Sequence, residues 1–243
     1  MSRSAVQLIM QRAPRGQPID SRMLADLGIS PAEASRLAGQ GWLERLGRGA
    51  YLLTGDQLTV DGIVAFLGRR TPGLHIGGKT ALDRQGIRHN IAMRDRLTLW
   101  SPAPIEIPQW AADRAIITCQ STALFDAVMA YKQHLRPLPG GHPEVLVASR
   151  ERAILELVSD VGRGQSLEEV RNLFVGLRDI RPAVMAELLE HCRRVKVIRL
   201  VRDLAQQEGY AWASIAQERA DALSGGKRWS MVGRDGERLT LKP

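Results

Sequence analysis

The octapeptide Gly73-Leu74-His75-Ile76-Gly77-Gly78-Lys79-Thr80 matches the GxxxxGK[ST] spacing of a nucleotide phosphate loop. That chemistry needs a buried strand to deliver the first glycine and a helix after the lysine, so that backbone N–H groups and the helix dipole converge on the phosphates. Here Arg69-Arg70-Thr71-Pro72 precedes the loop, and the apolar run Ile63 to Leu67 reads as part of a helix. Neither downstream apolar run ends in an aspartate able to hold magnesium: Ala115 to Thr118 leads to Cys-Gln, and Val145 to Ala148 leads to Ser-Arg. The octapeptide is predicted to be a turn that caps the next helix, with an ATP-using enzyme the least supported of the functional readings. His75, His89, His134, His142 and His191 show neither HExxH nor i, i+4 pairing, and no GxSxG elbow is present. Cys119 and Cys192 stand 73 positions apart without a CxxC partner, which excludes a disulfide framework and a structural zinc site. Cys192 falls on an apolar stripe and is expected in the core. No catalytic residue, metal ligand or cofactor is expected.

A second chemistry, contact with nucleic acid, finds suitable side chains in two places. Ser30-Pro31-Ala32-Glu33 is a strong helix start: the Ser30 hydroxyl can accept from the Glu33 N–H, and Pro31 occupies a position where its missing N–H costs nothing. Helix spacing then turns Ala34, Leu37 and Ala38 inward and leaves Ser35, Arg36 and Gln40 outward. Arg36 suits guanine, Gln40 adenine and Ser35 either base, while Arg36 can instead pair with Glu33 one turn away. Arg45 and Arg48 flank or occupy a glycine-rich turn and are placed for phosphate or minor-groove contact; Arg15 and Arg22, near helix ends, are placed for backbone contact. Farther along, Lys196, Arg199 and Arg202 recur every three residues beside an apolar stripe, with Arg193 and Arg194 just before. This basic ridge has three readings: a solvated helix face, a surface for an acidic protein partner, or a phosphate-backbone contact.

The elements that position these groups follow from periodicity. Val6, Ile9, Met10 and Ala13 lie at i, i+3, i+4, i+7 and predict a helix over 4–13 that Pro14-Arg15-Gly16 ends. Asp20 can cap a short second helix through Leu24 and Leu27, Gly28-Ile29 turns, and the third helix runs from Ser30 to about Gln40. Two strand-like runs, 42–46 and 50–53, bracket Gly47-Arg48-Gly49. Helix, helix, turn, helix, hairpin is the order of a winged helix-turn-helix, assigned to residues 1–55. Residues 54–61 are polar and serve as a junction to a mixed α/β domain over 56–243, so the fold class is α+β. Helices are predicted near 60–69, 79–86, 121–132, 149–159, 167–177 and 183–208, and strands at 97–100, 115–118 and 145–147. The stripes Met185, Leu188, Leu189, Cys192 and Val197, Leu200, Val201, Leu204 are one residue out of phase, which predicts a break near 193–196.

The 243-residue chain is 44% hydrophobic and 25% charged, enough to bury a sizeable core. Its 34 basic residues, 29 of them Arg, outnumber 26 acidic ones. Residues 1–55 carry 7 basic and 4 acidic side chains, 56–190 carry 16 of each, and 191–243 carry 11 and 6. Both ends are basic around a neutral middle, which points to a polyanionic partner. No run approaches the roughly 18 apolar residues of a membrane span and no signal peptide is visible, so a soluble cytoplasmic protein with no membrane partner is expected.

Three stretches then become recognisable. The first is Leu46-Gly47-Arg48-Gly49-Ala50-Tyr51-Leu52; the second is Ile76-Gly77-Gly78-Lys79-Thr80-Ala81-Leu82 followed by Gly86-Ile87-Arg88-His89. The third joins Cys192-Arg193-Arg194-Val195-Lys196-Val197-Ile198-Arg199-Leu200, Gly209-Tyr210-Ala211-Trp212 and Leu223-Ser224-Gly225-Gly226-Lys227-Arg228. Together they resemble the AbiEi family, the antitoxin and transcriptional-repressor component of AbiE-type (type IV) bacterial toxin–antitoxin and phage-defence systems. The resemblance implies a non-catalytic two-domain protein whose winged helix binds inverted repeats in its own promoter, with self-association on that DNA. It also implies that the carboxy-terminal domain counteracts a cognate nucleotidyltransferase-like toxin, by direct contact or otherwise. The chain does not resemble the toxin, lacking a Gly-Ser followed by Asp-x-Asp. It departs from the family in its carboxy-terminal strands (Trp229 to Leu241), which are short and charged. The alternative reading is a protein-interaction module that neutralises its partner by direct binding, with DNA binding incidental.

Overall fold

The computed structural model describes residues 5–88, 96–223, 229–232 and 238–241. His89 and the run Ser224 to Arg228 lie outside them. The chain opens with α1 (Ala5–Arg12), β1 (Ile19–Asp20), α2 (Ser21–Asp26), α3 (Pro31–Gly39), β2 (Leu43–Gly47) and β3 (Ala50–Leu53). Local chemistry sets each boundary. An Asp20 carboxylate oxygen accepts from the Met23 N–H at 2.9 Å and starts α2. The Ser30 hydroxyl accepts from the Glu33 N–H at 3.2 Å, and Pro31 occupies the first turn of α3. Gly28 and Gly41, at φ +76 and +79, supply the left-handed turns on either side of that helix. The strands form one antiparallel sheet in the order β1-β3-β2, with Ile19 opposite Tyr51 and Leu43 opposite Leu53. Ile9, Ile19, Leu24, Ile29, Ala34, Leu37, Leu43, Tyr51 and Leu53 bury together as its core. Met10, assigned to the inward stripe, is instead 45% exposed.

A larger body follows: α4 (Val60–Arg70), β4 (His75–Ile76), α5 (Gly78–Arg84), β5 (Arg96–Trp100), α6 (Gln109–Ala112), β6 (Ile116–Gln120), β7 (Leu135–Arg136) and β8 (Val147–Ala148). Its remaining elements are α7 (Arg150–Ser159), α8 (Leu167–Phe174), α9 (Pro182–His191), α10 (Val195–Gln207), α11 (Ala213–Ala222) and the ribbon β9 (Trp229–Val232) and β10 (Arg238–Leu241). A mixed sheet runs β6-β5-β4-β8-β7, parallel at β5/β6 and β4/β8 and antiparallel at β4/β5 and β7/β8. Helix α7 lies inside: every residue from Glu151 to Ser159 is buried, including Glu151, Arg152 and Glu156. Such burial of charge requires partners. Glu151 accepts from the Arg181 backbone N–H at 2.9 Å, from its Nε at 2.9 Å and from its Nη2 at 2.8 Å, tying the start of α7 to the start of α9. Burial pushes the Glu151 carboxyl up, but these Arg181 bonds outweigh it and hold it down at about 2.

The predicted helix over 121–132 does not form. Leu124 and Phe125 pair instead with the break between α9 and α10: Phe125 bridges Cys192, and the Arg193 N–H donates to the Leu124 carbonyl oxygen at 2.9 Å. Asp126 then accepts from the Val128 and Met129 N–H groups, a side-chain turn that competes with helix. The break itself falls at 192–194, close to its predicted place.

The two bodies meet along a tight seam. Ala50 and Leu46 of the hairpin pack into the larger core. Backbone meets backbone at Gly62 of α4, where an added Cβ would lie 2.1 Å from the Gly16 carbonyl oxygen and 2.6 Å from the Gln17 Cα. Thr59, which caps α4, donates to the same Gly16 oxygen from its N–H and its hydroxyl, both at 2.8 Å. Arg69 spreads across the seam to Asp20 (3.3 Å), Gln17 (3.1 Å), the Pro18 carbonyl oxygen (3.0 Å) and Glu144 (2.7 Å).

Gly62→Ala should therefore cost about 2–3 kcal/mol by urea unfolding. Gly68→Ala, on the same helix with open space around it, should be neutral or stabilising by up to about 1 kcal/mol. Equal stability of the two variants would contradict the seam contact. Because the Glu151 pKa is depressed in the folded state, its contribution is complete above the ordinary carboxylate range and is lost as pH falls toward 2. The stability gap between wild type and Arg181→Ala should accordingly be largest near neutrality and shrink below about pH 4 in an acid-unfolding series.

Candidate nucleic-acid interface

The structure places Arg15, Arg22, Ser35, Arg36, Gln40, Arg45 and Arg48 all on the surface. Within α3 the division follows helix spacing, with Ala34 and Leu37 fully buried and Ser35, Arg36 and Gln40 outside. Arg36 is held between neighbours one turn either way: Nη2 donates to Glu33 at 3.2 Å and Nη1 to the Gln40 side-chain oxygen at 3.0 Å. The pairing with Glu33 does not lock Arg36, because an exposed pair of this kind is worth roughly 0–1 kcal/mol and is easily exchanged for another partner. Arg45 stacks loosely on Tyr51, its guanidinium carbon 5.8 Å from the ring centroid.

Arg48 sits at the hairpin tip, and that tip is docked. Gly47 lies against Trp110 so closely that an added Cβ would stand 3.3 Å from the ring, and Arg70 Nη2 donates to the Gly49 carbonyl oxygen at 3.4 Å. Phe66 supports this corner, edge-on to Trp110 at 5.3 Å and under the Arg70 guanidinium at 4.2 Å. Trp42, missed by the sequence reading, is 47% exposed directly after α3. The signal was its place one residue before the buried Leu43, an outward position where a tryptophan has no core to fill.

The basic ridge is corrected. Arg199 and Arg202 are buried, at 1% and 7% exposure, because α10 is enclosed by α7, α8, α11 and β10. Lys196 and Arg194 are half-buried and turn toward the end of α7, and Arg193 alone of the five is exposed. A three-residue repeat of basic residues marks one face of a helix; it does not say that solvent lies on that face.

The phosphate-loop lookalike is filled by the protein itself. Gly77 caps α5, and the anion over the loop is Glu156 of α7, whose Oε2 accepts from the Gly78 N–H at 3.1 Å. Its Oε1 accepts from Arg152 Nε and faces His75 Nε2, each at 2.9 Å. His75 Nδ1 lies 2.8 Å from the Gly73 carbonyl oxygen, so the ring spans the space between that carbonyl and the Glu156 carboxylate. Burial pushes the Glu156 carboxyl up, while His75 and Arg152 outweigh it and leave it below the ordinary value. Lys79 pairs with Glu169. The helix preceding the loop, α4, occupies the place where a phosphate loop has its strand. Burial raises the Cys192 thiol to about 11, against the thiolate needed of a nucleophile. No group of three or more His, Cys, Asp or Glu side chains that could hold a metal ion occurs among the described residues.

Removing the internal anion should be far costlier than removing the lysine. Glu156→Ala leaves Arg152 and His75 uncompensated and is expected to cost about 3–5 kcal/mol, against at most about 1 kcal/mol for Lys79→Ala. Magnesium-ATP should not shift the melting temperature of the wild type; a saturable shift abolished by Lys79→Ala would contradict this assignment.

Comparison with known proteins agrees with the resemblance noted above. Residues 2–93 match the family model described as the transcriptional regulator AbiEi antitoxin N-terminal domain. Residues 94–242 match that of the transcriptional regulator AbiEi antitoxin of type IV toxin–antitoxin systems. A crystal structure of the RV2827C protein from Mycobacterium tuberculosis shares the fold, with a TM-score of 0.54 at 13% identity over 89% of this chain and 79% of that one. No curated protein matches the chain. No helix among the described residues is long and apolar enough to cross a membrane. With family models matching almost from end to end, the chain belongs to the AbiEi antitoxin family, the transcriptional regulators of type IV toxin–antitoxin systems.

Proposed function

We propose that this chain is a DNA-binding autorepressor and antitoxin, without catalytic activity or cofactor, that acts in the cytoplasm. Residues 1–55 serve as a winged helix-turn-helix: α3 is the recognition helix, β2 and β3 are the wing, and the operator consists of inverted repeats in the chain's own promoter. Residues 56–243 serve as the antitoxin domain that counteracts a nucleotidyltransferase-like toxin of a phage-defence system. The observation that carries the DNA reading is the outward face of α3. Ser35, Arg36 and Gln40 stand exposed on a helix that a capped turn and two buried residues hold in place. These are side chains able to address base edges. Arg45 and Arg48 on the hairpin, with Arg15 and Arg22 beside helix ends, act on phosphates or the minor groove. The ridge residue Arg193 adds a contact from the second body, to DNA or to the toxin.

The test is a binding titration on operator DNA. Arg36→Ala should cost about 1–3 kcal/mol and relax specificity at one base position. Arg48→Ala should weaken binding to all sequences alike and reduce the salt dependence by about one counterion. Unchanged affinity in the double variant would remove α3 and the hairpin from the interface.

A further inference from the structure

The loop after α7 gathers cations from two separate parts of the chain. Arg194, just before α10, donates from Nη1 to the Ser159 carbonyl oxygen at 3.3 Å and to the Ser159 hydroxyl. Lys196, in the first turn of α10, donates from Nζ to the Val161 carbonyl oxygen at 2.6 Å. Arg163 belongs to the loop itself: its N–H donates to the Asp160 carbonyl oxygen at 2.9 Å, and its Nη1 reaches the Thr122 hydroxyl at 3.5 Å. Three basic groups are thereby pinned around the residues from Ser159 to Arg163. Arg163 is exposed and the other two are half-buried, so the group opens to solvent. Among the described residues, Arg194 and Arg163 each bond to protein through Nη1 alone, which leaves further donors on both guanidinium forks.

Part of this arrangement ends α7, whose last carbonyl groups need donors. One cation would suffice for that, and three repel one another. Burial and the charges of Arg194 and Arg163 bring Lys196 down to about 8, and burial with the Arg163 charge lowers Arg194. Asp160, the carboxyl at the same place, is pushed up to about 7 by burial and by Glu156, so near neutrality it offsets the Arg163 and Arg194 charges only in part. A group that carries such self-repulsion is relieved by a multiply charged anion.

We propose that Arg163, Arg194 and Lys196 form a binding site for a phosphoryl group, as borne by inorganic phosphate or a phosphate monoester, on the second body and distinct from the surface of α3. Guanidinium forks match phosphoryl oxygens and the lysine adds a point charge. A monoester dianion suits three cations better than a singly charged backbone diester. The phosphoryl group can come from a free nucleotide or from the phosphorylated end of a nucleic acid.

Titration of the full-length protein with inorganic phosphate, followed by calorimetry and by amide shifts of the 15N-labelled chain, tests this directly. Binding should saturate, and the shifts should centre on 162–163 and 195–196. Arg163→Ala alters an exposed side chain and should raise the dissociation constant about tenfold or more, with Lys196→Gln acting in the same direction. Adenosine 5′-monophosphate should bind and adenosine should not. Tighter binding of the monophosphate than of a 5′-phosphorylated tetranucleotide would point to a free nucleotide, and the reverse order to a nucleic-acid end. No saturable binding of any phosphoryl compound, equal affinity in Arg163→Ala, or shifts centred elsewhere would overturn the proposal. Operator DNA takes no part in these readouts, so their outcome is separable from the DNA reading.

Discussion

A single buried carboxylate organises the larger body. Glu156 has no exposure to solvent, and its two oxygens answer to three different elements: His75 of β4, the Gly78 N–H at the start of α5, and Arg152 one turn earlier on its own helix. Arg152 in turn donates from Nη1 to the Tyr131 and Gln133 carbonyl oxygens, which fastens the irregular segment after β6. An isolated carboxylate at such a depth would be prohibitively costly, so the helix, the sheet and the segment are stable only together. The glycines beside it follow from the same constraint. A Cβ on Gly77 would stand 2.3 Å from Glu156 Oε2, and Gly78 takes a φ of +49. What the spacing of residues 73–80 advertises as a cradle for an external anion is a cradle for an internal one.

From that body the position of the amino-terminal unit follows. Helix α4 leads directly into β4, and the same helix carries Gly62, Arg69 and Arg70, which touch the segment before β1, the start of α2 and the hairpin tip. Asp20 links the levels, since one oxygen caps α2 and the other receives Arg69. The β2–β3 hairpin is not a free flap: Trp110 and Arg70 brace it, leaving Arg48 displayed on a fixed turn. In the proposed DNA-binding mode, α3 mounted this way would present Ser35, Arg36 and Gln40 in a geometry set by the second body, which would lower the ordering cost of binding.

Much of this was legible in residue order wherever a local signal exists. The caps at Asp20 and Ser30, the inward set of α3, the hairpin and the phase break between α9 and α10 all appear where spacing and capping chemistry put them. Rejection of the phosphate loop was legible too, from the helix before it, although Glu156 as the occupant was not: His75 and Glu156 are 81 positions apart. The failures share a cause. Residues 121–132 carry a helical pattern, yet a strand-like pairing with 192–193 and the Asp126 turn prevail. Arg199 and Arg202 look like a solvated face until neighbouring helices close over them. Strands β1 and β7 are two residues long, too short for any period. Surface residues that could reach DNA were legible as types and positions, because helix and hairpin geometry alone turns them outward.

The most direct measurement is a fluorescence titration of the purified full-length protein on its own upstream DNA and on a scrambled duplex, each at two salt concentrations. Tight binding to the upstream duplex is expected, with a preference over the scrambled one of about a thousandfold or more that persists as salt rises. Equal affinity for both duplexes, abolished together by salt, would contradict a repressor and leave only the electrostatics of two basic ends.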